Sequence, residues 1–101
     1  MDRRSELHKV LCEALGNEHV YYQPPESVKM EYPAIRYSIK DIEKKSANNA
    51  AYIITKCYEI TVIDKKPDNK AIDKLLSLPM CEFDRHYEVN NLNHDVLTLY
   101  Y

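Results

Sequence analysis

The sequence predicts an α+β domain, an antiparallel or mixed sheet of about five strands with two helices packed on one face, in the order α-β-β-β-α-β-β. Three observations predict it. A long run from Tyr52 to Asp64 is rich in β-branched and aromatic residues, the types that fit a pleated, half-buried surface. Two stretches, 2–15 and 68–77, carry apolar residues at helical spacing. Further extended runs alternate in polarity and are bounded by proline or asparagine clusters.

In residues 2–15, Leu7, Val10, Leu11, Ala14 and Leu15 fall on one stripe of a helix. Asp2, or Ser5 for a later start, can cap it, and acidic Asp2 and Glu6 suit the positive end of its dipole. Gly16, the sole glycine, is placed to end it in the left-handed conformation. Val20-Tyr21-Tyr22 reads as a short strand, and Gln23-Pro24-Pro25-Glu26 opens a loop. Pro33 favours extended geometry at Tyr32 and introduces a strand over Ala34–Ile42. There Ile35, Tyr37 and Ile39 share one face, and Arg36, Ser38 and Lys40 share the other.

Glu43–Ala51 is small and polar and reads as a mobile hairpin loop. The run Tyr52–Asp64 follows. At ~3.3 Å per residue it would span roughly 43 Å, about twice a usual strand. Lys56, Tyr58, Ile60, Val62 and Asp64 form its more apolar face; Cys57, Glu59, Thr61 and Ile63 form a mixed one, with Glu59 and Thr61 suited to water or a polar partner. A turn at Lys65–Asn69 leads to a helix over 68–77, with Asp68 as cap, Ile72, Leu75 and Leu76 on one side and Pro79 as stop. Cys81–Val89 reads as a strand alternating Cys81, Phe83, Arg85 and Tyr87 against Glu82, Asp84, His86 and Glu88. A turn at Asn90–Asn93 joins it to a last strand, Asp95–Tyr101.

Composition narrows the function classes. The chain has 101 residues, the size of one domain spanning 1–101, with 45% apolar and 30% charged residues, so a globular core is expected. Fourteen basic against sixteen acidic residues give a net charge of −2, which argues against a dedicated nucleic-acid binder. One glycine excludes Gly-rich phosphate loops. Nine tyrosines suit sheet surfaces and protein interfaces. Cys12, Cys57 and Cys81 form no Cys-x-x-Cys pair and read as free thiols in a reducing cytoplasm. The N-terminus is polar, and no apolar run approaches a membrane span, so a soluble cytosolic protein with no membrane partner is expected.

Candidate chemistry is sparse. Asp84, His86, His94 and Asp95 cluster around one turn and could hold a divalent metal or act as an acid–base pair. With a turn at Asn90–Asn93, however, Val89 pairs with His94 and His86 with Leu97, so the two histidines are not direct neighbours. Solvated side chains or local backbone hydrogen bonds are the more economical reading. No nucleophile motif occurs, and Lys44, Lys45, Lys65 and Lys66 form two small basic spots without interleaved aromatics. No catalytic, cofactor-binding or metal-binding residue is assigned.

Several segments carry a family resemblance. They are Val20-Tyr21-Tyr22-Gln23-Pro24-Pro25-Glu26-Ser27, Tyr32-Pro33-Ala34-Ile35-Arg36-Tyr37, Tyr58-Glu59-Ile60-Thr61-Val62-Ile63-Asp64-Lys65-Lys66-Pro67-Asp68, Phe83-Asp84-Arg85-His86-Tyr87, and Asn91-Leu92-Asn93-His94-Asp95-Val96. Together the chain resembles the tail-terminator or tail-completion (minor tail) proteins of siphophages and Gram-positive prophages, over nearly its whole length. The motifs are structural and not catalytic. The resemblance implies a non-enzymatic virion-assembly protein with no cofactor. Such a protein forms a ring, expected to be a hexamer, that caps the tail-tube protein and joins it to the head–tail connector protein. DNA would pass through the ring without specific binding. The implied location is the bacterial host cytoplasm during assembly, then the virion tail.

The residues assigned to the subunit and tube interface are Lys44, Lys45, Asn48, Asn49 and Lys56, on and beside the polar hairpin. The alternatives are a small ligand- or RNA-binding α+β module, in which tyrosines on a sheet face stack bases, and a metal-dependent enzyme using His86 and His94. The segment Tyr52–Lys56 reads as the arm of a protruding hairpin, longer than a core requires.

Overall fold

The computed structural model describes residues 3–24, 29, 31–47, 51–66 and 69–101. Helix α1 (Arg3–Leu15) is followed by strands β1 (Val20–Tyr22), β2 (Ala34–Ala47) and β3 (Ala51–Asp64), helix α2 (Lys70–Leu76), and strands β4 (Cys81–Val89) and β5 (Leu92–Tyr100). The element order is the expected one. The strands form one mixed sheet in the order β1-β2-β3-β5-β4, parallel between β1 and β2 and antiparallel elsewhere.

Both helices pack on one face. Leu7, Leu11 and Ala14 of α1 and Ala71 and Leu75 of α2 join Val20, Ile35, Tyr37, Tyr58, Ile60, Val62, Leu97 and Leu99 in a single buried cluster. The register explains the membership. Tyr37 lies opposite Ile60, Ile60 opposite Leu97, and Tyr58 opposite Leu99, so the apolar residues of three central strands line up beneath the helices. Tyr37 sits at the centre of an aromatic group, with ring centroids 4.9 Å from Tyr22 and 6.1 Å from Tyr58. Its hydroxyl is hydrogen-bonded to Nδ1 of His8 at 2.9 Å. Arg4 lies over the Tyr22 ring, 4.4 Å from its centroid, tying the first turn of α1 to the edge strand.

Gly16 ends α1 as expected. Its φ is +84°, and its N–H donates to the Cys12 carbonyl at 2.8 Å, the single backward bond of a left-handed helix stop. Ser5 lies inside the helix and does not cap it, and Asp2 lies outside the described residues. Helix α2 is shorter than expected, and Asp68, its expected cap, lies outside the described residues. Asn69 caps it instead. The Asn69 side-chain oxygen accepts from the Ala71 N–H at 2.8 Å, while its amide donates to Asp64 at 2.7 Å. The helix ends at Leu76, with Ser77 as C-cap, before Pro79. Leu76, expected on the buried side, is exposed; Ala71 and Leu75 face the core.

Two further expectations are corrected by register. The β4–β5 turn is the two-residue pair Asn90–Asn91, with φ of 52° and 63°, closing a Val89–Leu92 pair. Both residues are left-handed, as a tight hairpin of this twist requires, and asparagine adopts that geometry most readily after glycine. His86 therefore pairs with Asp95 and Tyr87 with His94, not His86 with Leu97 or Val89 with His94. A bulge between Phe83 and Arg85 breaks the expected alternation of β4, so Phe83 lies on the helix side and Arg85 and Tyr87 on the other. Thr61, expected to meet water or a polar partner, is buried, with Arg36 and Val96 as its cross-strand partners.

The helix-free face is thus partly sealed by its own side chains. Ala34, Cys57, Thr61, Ile63 and Val96 are buried there, flanked by a stacked Tyr87–His94 pair 4.7 Å apart. A groove of about 410 Å³ runs over this face, lined by Gln23, Pro24, Arg36, Ser38, Ile39, Glu59 and Thr61.

Candidate assembly surface

The expected loop at Glu43–Ala51 is not a loop over most of its length. Strand β2 continues through Glu43–Ala47, and β3 begins at Ala51, with Ala47 paired to Ala51. The small polar residues of this stretch form ladder hydrogen bonds as readily as others when a partner strand lies alongside. Residues 48–50 lie outside the described residues.

The result is a two-stranded arm. Pairing of β5 with β3 ends at Cys57–Tyr100, and pairing of β1 with β2 ends at Tyr22–Tyr37. Beyond those points, residues 41–47 and 51–55 pair only with each other along the ladder, while the Lys56 carbonyl at the base still accepts from the Tyr101 N–H at 2.9 Å. The molecule measures 51 × 26 × 22 Å, long in one dimension.

A bulge at the base of the arm sets which side chains share a face. The register slips between Ile39 and Asp41, so Asp41 pairs with Cys57, Ile42 with Lys56, and Lys44 with Ile54. Before the bulge the odd residues Ile35, Tyr37 and Ile39 lie on the helix side. After it, Ile42 and Lys44 take that side with Ile54 and Lys56. The helices do not reach this far, and Ile42 and Ile54 are 51% and 60% exposed.

Of the interface residues expected from sequence, Lys44 is exposed on this face and Lys56 is half-buried on it. Lys45 pairs with Ile53 along the backbone, its side chain outside the described set, and Asn48 and Asn49 lie outside the described residues. Ile42 and Ile54 were not expected at such a surface. Their signal in the sequence is two isolated β-branched apolar residues among lysines, which becomes meaningful only once the bulge puts all four on one face.

The rest of the exposed apolar surface lies elsewhere. Leu76, Met80 and Phe83 are exposed around the end of α2 and the start of β4, and Val89 at the far end of β4. Strand β4 is the outer edge of the sheet. Its sequence carries Glu82, Asp84 and Glu88 around Phe83, with Asp84 accepting from Arg85 at 2.8 Å.

The residues considered for chemistry do not converge. His86 donates from Nδ1 to the largely buried Asp95 at 2.6 Å, on the helix side of the sheet. His94 stacks on Tyr87 on the opposite side and is hydrogen-bonded through Nδ1 to the Leu92 carbonyl at 3.0 Å. Among the described residues no cluster of three His, Cys, Asp or Glu side chains could hold a metal ion. Burial pushes the Cys12 and Cys81 thiols up, helped by Glu18 and Glu82 respectively, so neither is poised as a thiolate. No helix among the described residues is long and apolar enough to cross a membrane.

Compared with protein-family models and with curated proteins, the chain matches none.

Proposed function

We propose that this protein is a structural virion-assembly protein of the tail-terminator or tail-completion kind. It acts as a ring of identical subunits that caps the tail tube and meets the head–tail connector, in the host cytoplasm during assembly and then in the virion tail. The observation that carries this reading is the two-stranded arm. It leaves the core with two exposed isoleucines on one face, where a binding surface on another subunit would cover them. An arm of this kind contributes little to its own domain and is suited to reach into a neighbour. Six subunits are the expected number from the sequence resemblance. The net charge of −2 suits a passage through which DNA slides unheld.

The test is to mix the purified chain with a polymerised siphophage tail-tube protein and examine the tubes by electron microscopy. Closed rings at tube ends, with tube growth halted, are expected. Tube ends left bare and still elongating would overturn the reading.

A second reading has one observation in its favour. Arg85, Tyr87 and His94 form a stacked group on the helix-free face, with the Arg85 guanidinium 5.9 Å from the Tyr87 ring centroid. A small ligand- or RNA-binding module would use such a platform.

A further inference from the structure

On the helix-free face, β2 and β3 bring four polar side chains to one groove. Thr61 lies opposite Arg36 and Glu59 opposite Ser38, so Arg36 and Glu59 are diagonal cross-strand neighbours, as are Ser38 and Thr61. All four line the groove of about 410 Å³, which falls within the roughly 300–1,000 Å³ of small-ligand sites. Its outer wall is Gln23 and Pro24, just past the end of β1. Gln23 is held in place there. Its N–H donates to the Tyr37 carbonyl at 2.9 Å, and its side-chain oxygen accepts from the Ile39 N–H at 3.4 Å, standing in for the edge strand that has ended.

The polar groups of this groove lack partners. Thr61 is 3% exposed, yet its hydroxyl makes no hydrogen bond among the described residues. Among those residues the one side-chain atom both sealed from solvent and without a partner is Nδ1 of His19, so the Thr61 oxygen opens to the groove. A nearly buried hydroxyl without a partner costs stability that a ligand atom would restore. Arg36 and Glu59 form no ion pair among the described residues, with each other or with another side chain. Arg85, the other arginine of this face, is instead held by Asp84 at 2.8 Å.

We propose that this groove binds a small zwitterion of amino-acid size, its carboxylate on Arg36 and Thr61 and its ammonium on Glu59. The charges select the class. A simple anion would meet the Glu59 carboxylate, and a simple cation would meet the Arg36 guanidinium. A neutral polar molecule would take both groups out of water with no counter-charge. A zwitterion pairs each with its opposite, and the planar guanidinium suits a carboxylate through two parallel hydrogen bonds. The Thr61 hydroxyl donates to the same carboxylate, and Pro24 offers the rest of the ligand an apolar wall. The site does not depend on the ring reading.

The experiment titrates the isotope-labelled full chain with each of the twenty common L-amino acids and follows its amide resonances. At least one is expected to bind with a Kd of about 1 mM or tighter. It should shift the amides of Arg36, Ser38, Glu59 and Thr61 ahead of those elsewhere. The N-acetyl form of that amino acid lacks the ammonium and its carboxamide lacks the carboxylate; each is expected to bind at least tenfold more weakly. Arg36→Gln and Glu59→Gln, at positions that are not buried, should each weaken binding of the free amino acid about tenfold. Thr61→Val separates a ligand contact from a structural one. It should leave the urea midpoint of the free chain unchanged or higher, because no bond is lost, while weakening binding several-fold. Groove amides that move with none of the twenty would overturn the inference. So would equal affinity for the acetylated or amidated form, or binding that survives Arg36→Gln. A free chain destabilised by Thr61→Val would show the hydroxyl already bonded, and would overturn its assignment to the ligand.

Discussion

At the residue scale, single side chains hold the helices to the sheet, and their removal has calculable effects. Asn69 does two things at once: its oxygen caps α2 and its amide holds Asp64 at the end of β3. Asn69→Ala is expected to cost about 1–2 kcal/mol, read as a lower midpoint in urea unfolding. Asn69→Asp keeps the capping oxygen but sets a carboxylate against Asp64, so it should recover only part of that loss. If Asn69→Ala and wild type unfold at the same urea concentration, the cap is not supporting α2. Tyr37 gives a pH dependence. Burial raises its hydroxyl above the ordinary tyrosine value near 10, outweighing the opposing effect of Arg4. The unfolded chain then releases this proton at a lower pH than the folded one. Stability from this group is intact below the unfolded value and is lost as pH rises toward the folded value. Tyr37→Phe should start less stable, lacking the His8 hydrogen bond, and should show a shallower decline in stability above about pH 10. An unchanged slope in the phenylalanine variant would show that Tyr37 does not contribute to the decline.

At the element scale, the arm depends least on the rest of the fold. An isolated two-stranded ribbon is marginally stable in water. Backbone amides between Asp41 and Lys56 should therefore exchange with solvent far faster than those of Tyr58–Ile63, which are paired on both sides. Replacing residues 43–55 with Asn-Gly should leave thermal unfolding of the core nearly unchanged while abolishing self-association. Equal protection of arm and core amides in the free chain would contradict this account. The elements themselves were largely legible in the sequence, because each had a periodic signature: the Leu7/Leu11/Ala14 stripe, the Ile35/Tyr37/Ile39 alternation, and the long run ending at Asp64. The arm was not, because Glu43–Ala47 has no alternating apolar pattern. Its strand state comes from the partner across the hairpin, which local propensity does not register. The two bulges were equally hidden. A slip at Lys40 or Asp84 leaves no mark in residue type, yet each reverses which side chains share a face. That is why Lys44 and Lys56 could be expected at an interface from charge and position, while Ile42 and Ile54, the apolar half of the same surface, could not.

At the scale of the whole molecule, shape and charge separate the two functional readings. The radius of gyration over Cα atoms is 14.6 Å, against about 13 Å for an ordinary compact domain of about 100 residues. The arm accounts for the excess, since the core beneath the two helices is compact. Small-angle scattering of a dilute monomer should give an elongated particle, and the Asn-Gly replacement of residues 43–55 should bring it back toward the compact value. A full-length monomer already as compact as the trimmed one would mean that the arm folds onto its own core. In that case Ile42 and Ile54 would be covered within one chain and would not need a neighbour. Charge makes the complementary prediction. With acidic residues in slight excess, Arg85 and Arg36 share the helix-free face with Glu59 and Glu82, so the stacked Tyr87–His94 pair lies in a nearly neutral field. Nucleic-acid affinity grows with the number of phosphates neutralised and falls steeply with salt. A fluorescent single-stranded RNA should therefore show no salt-sensitive binding to the chain, even at low ionic strength. Tight binding that weakens about a thousandfold between 50 and 200 mM salt would instead mark a basic track, and would move the protein from a subunit of an assembly to a nucleic-acid module.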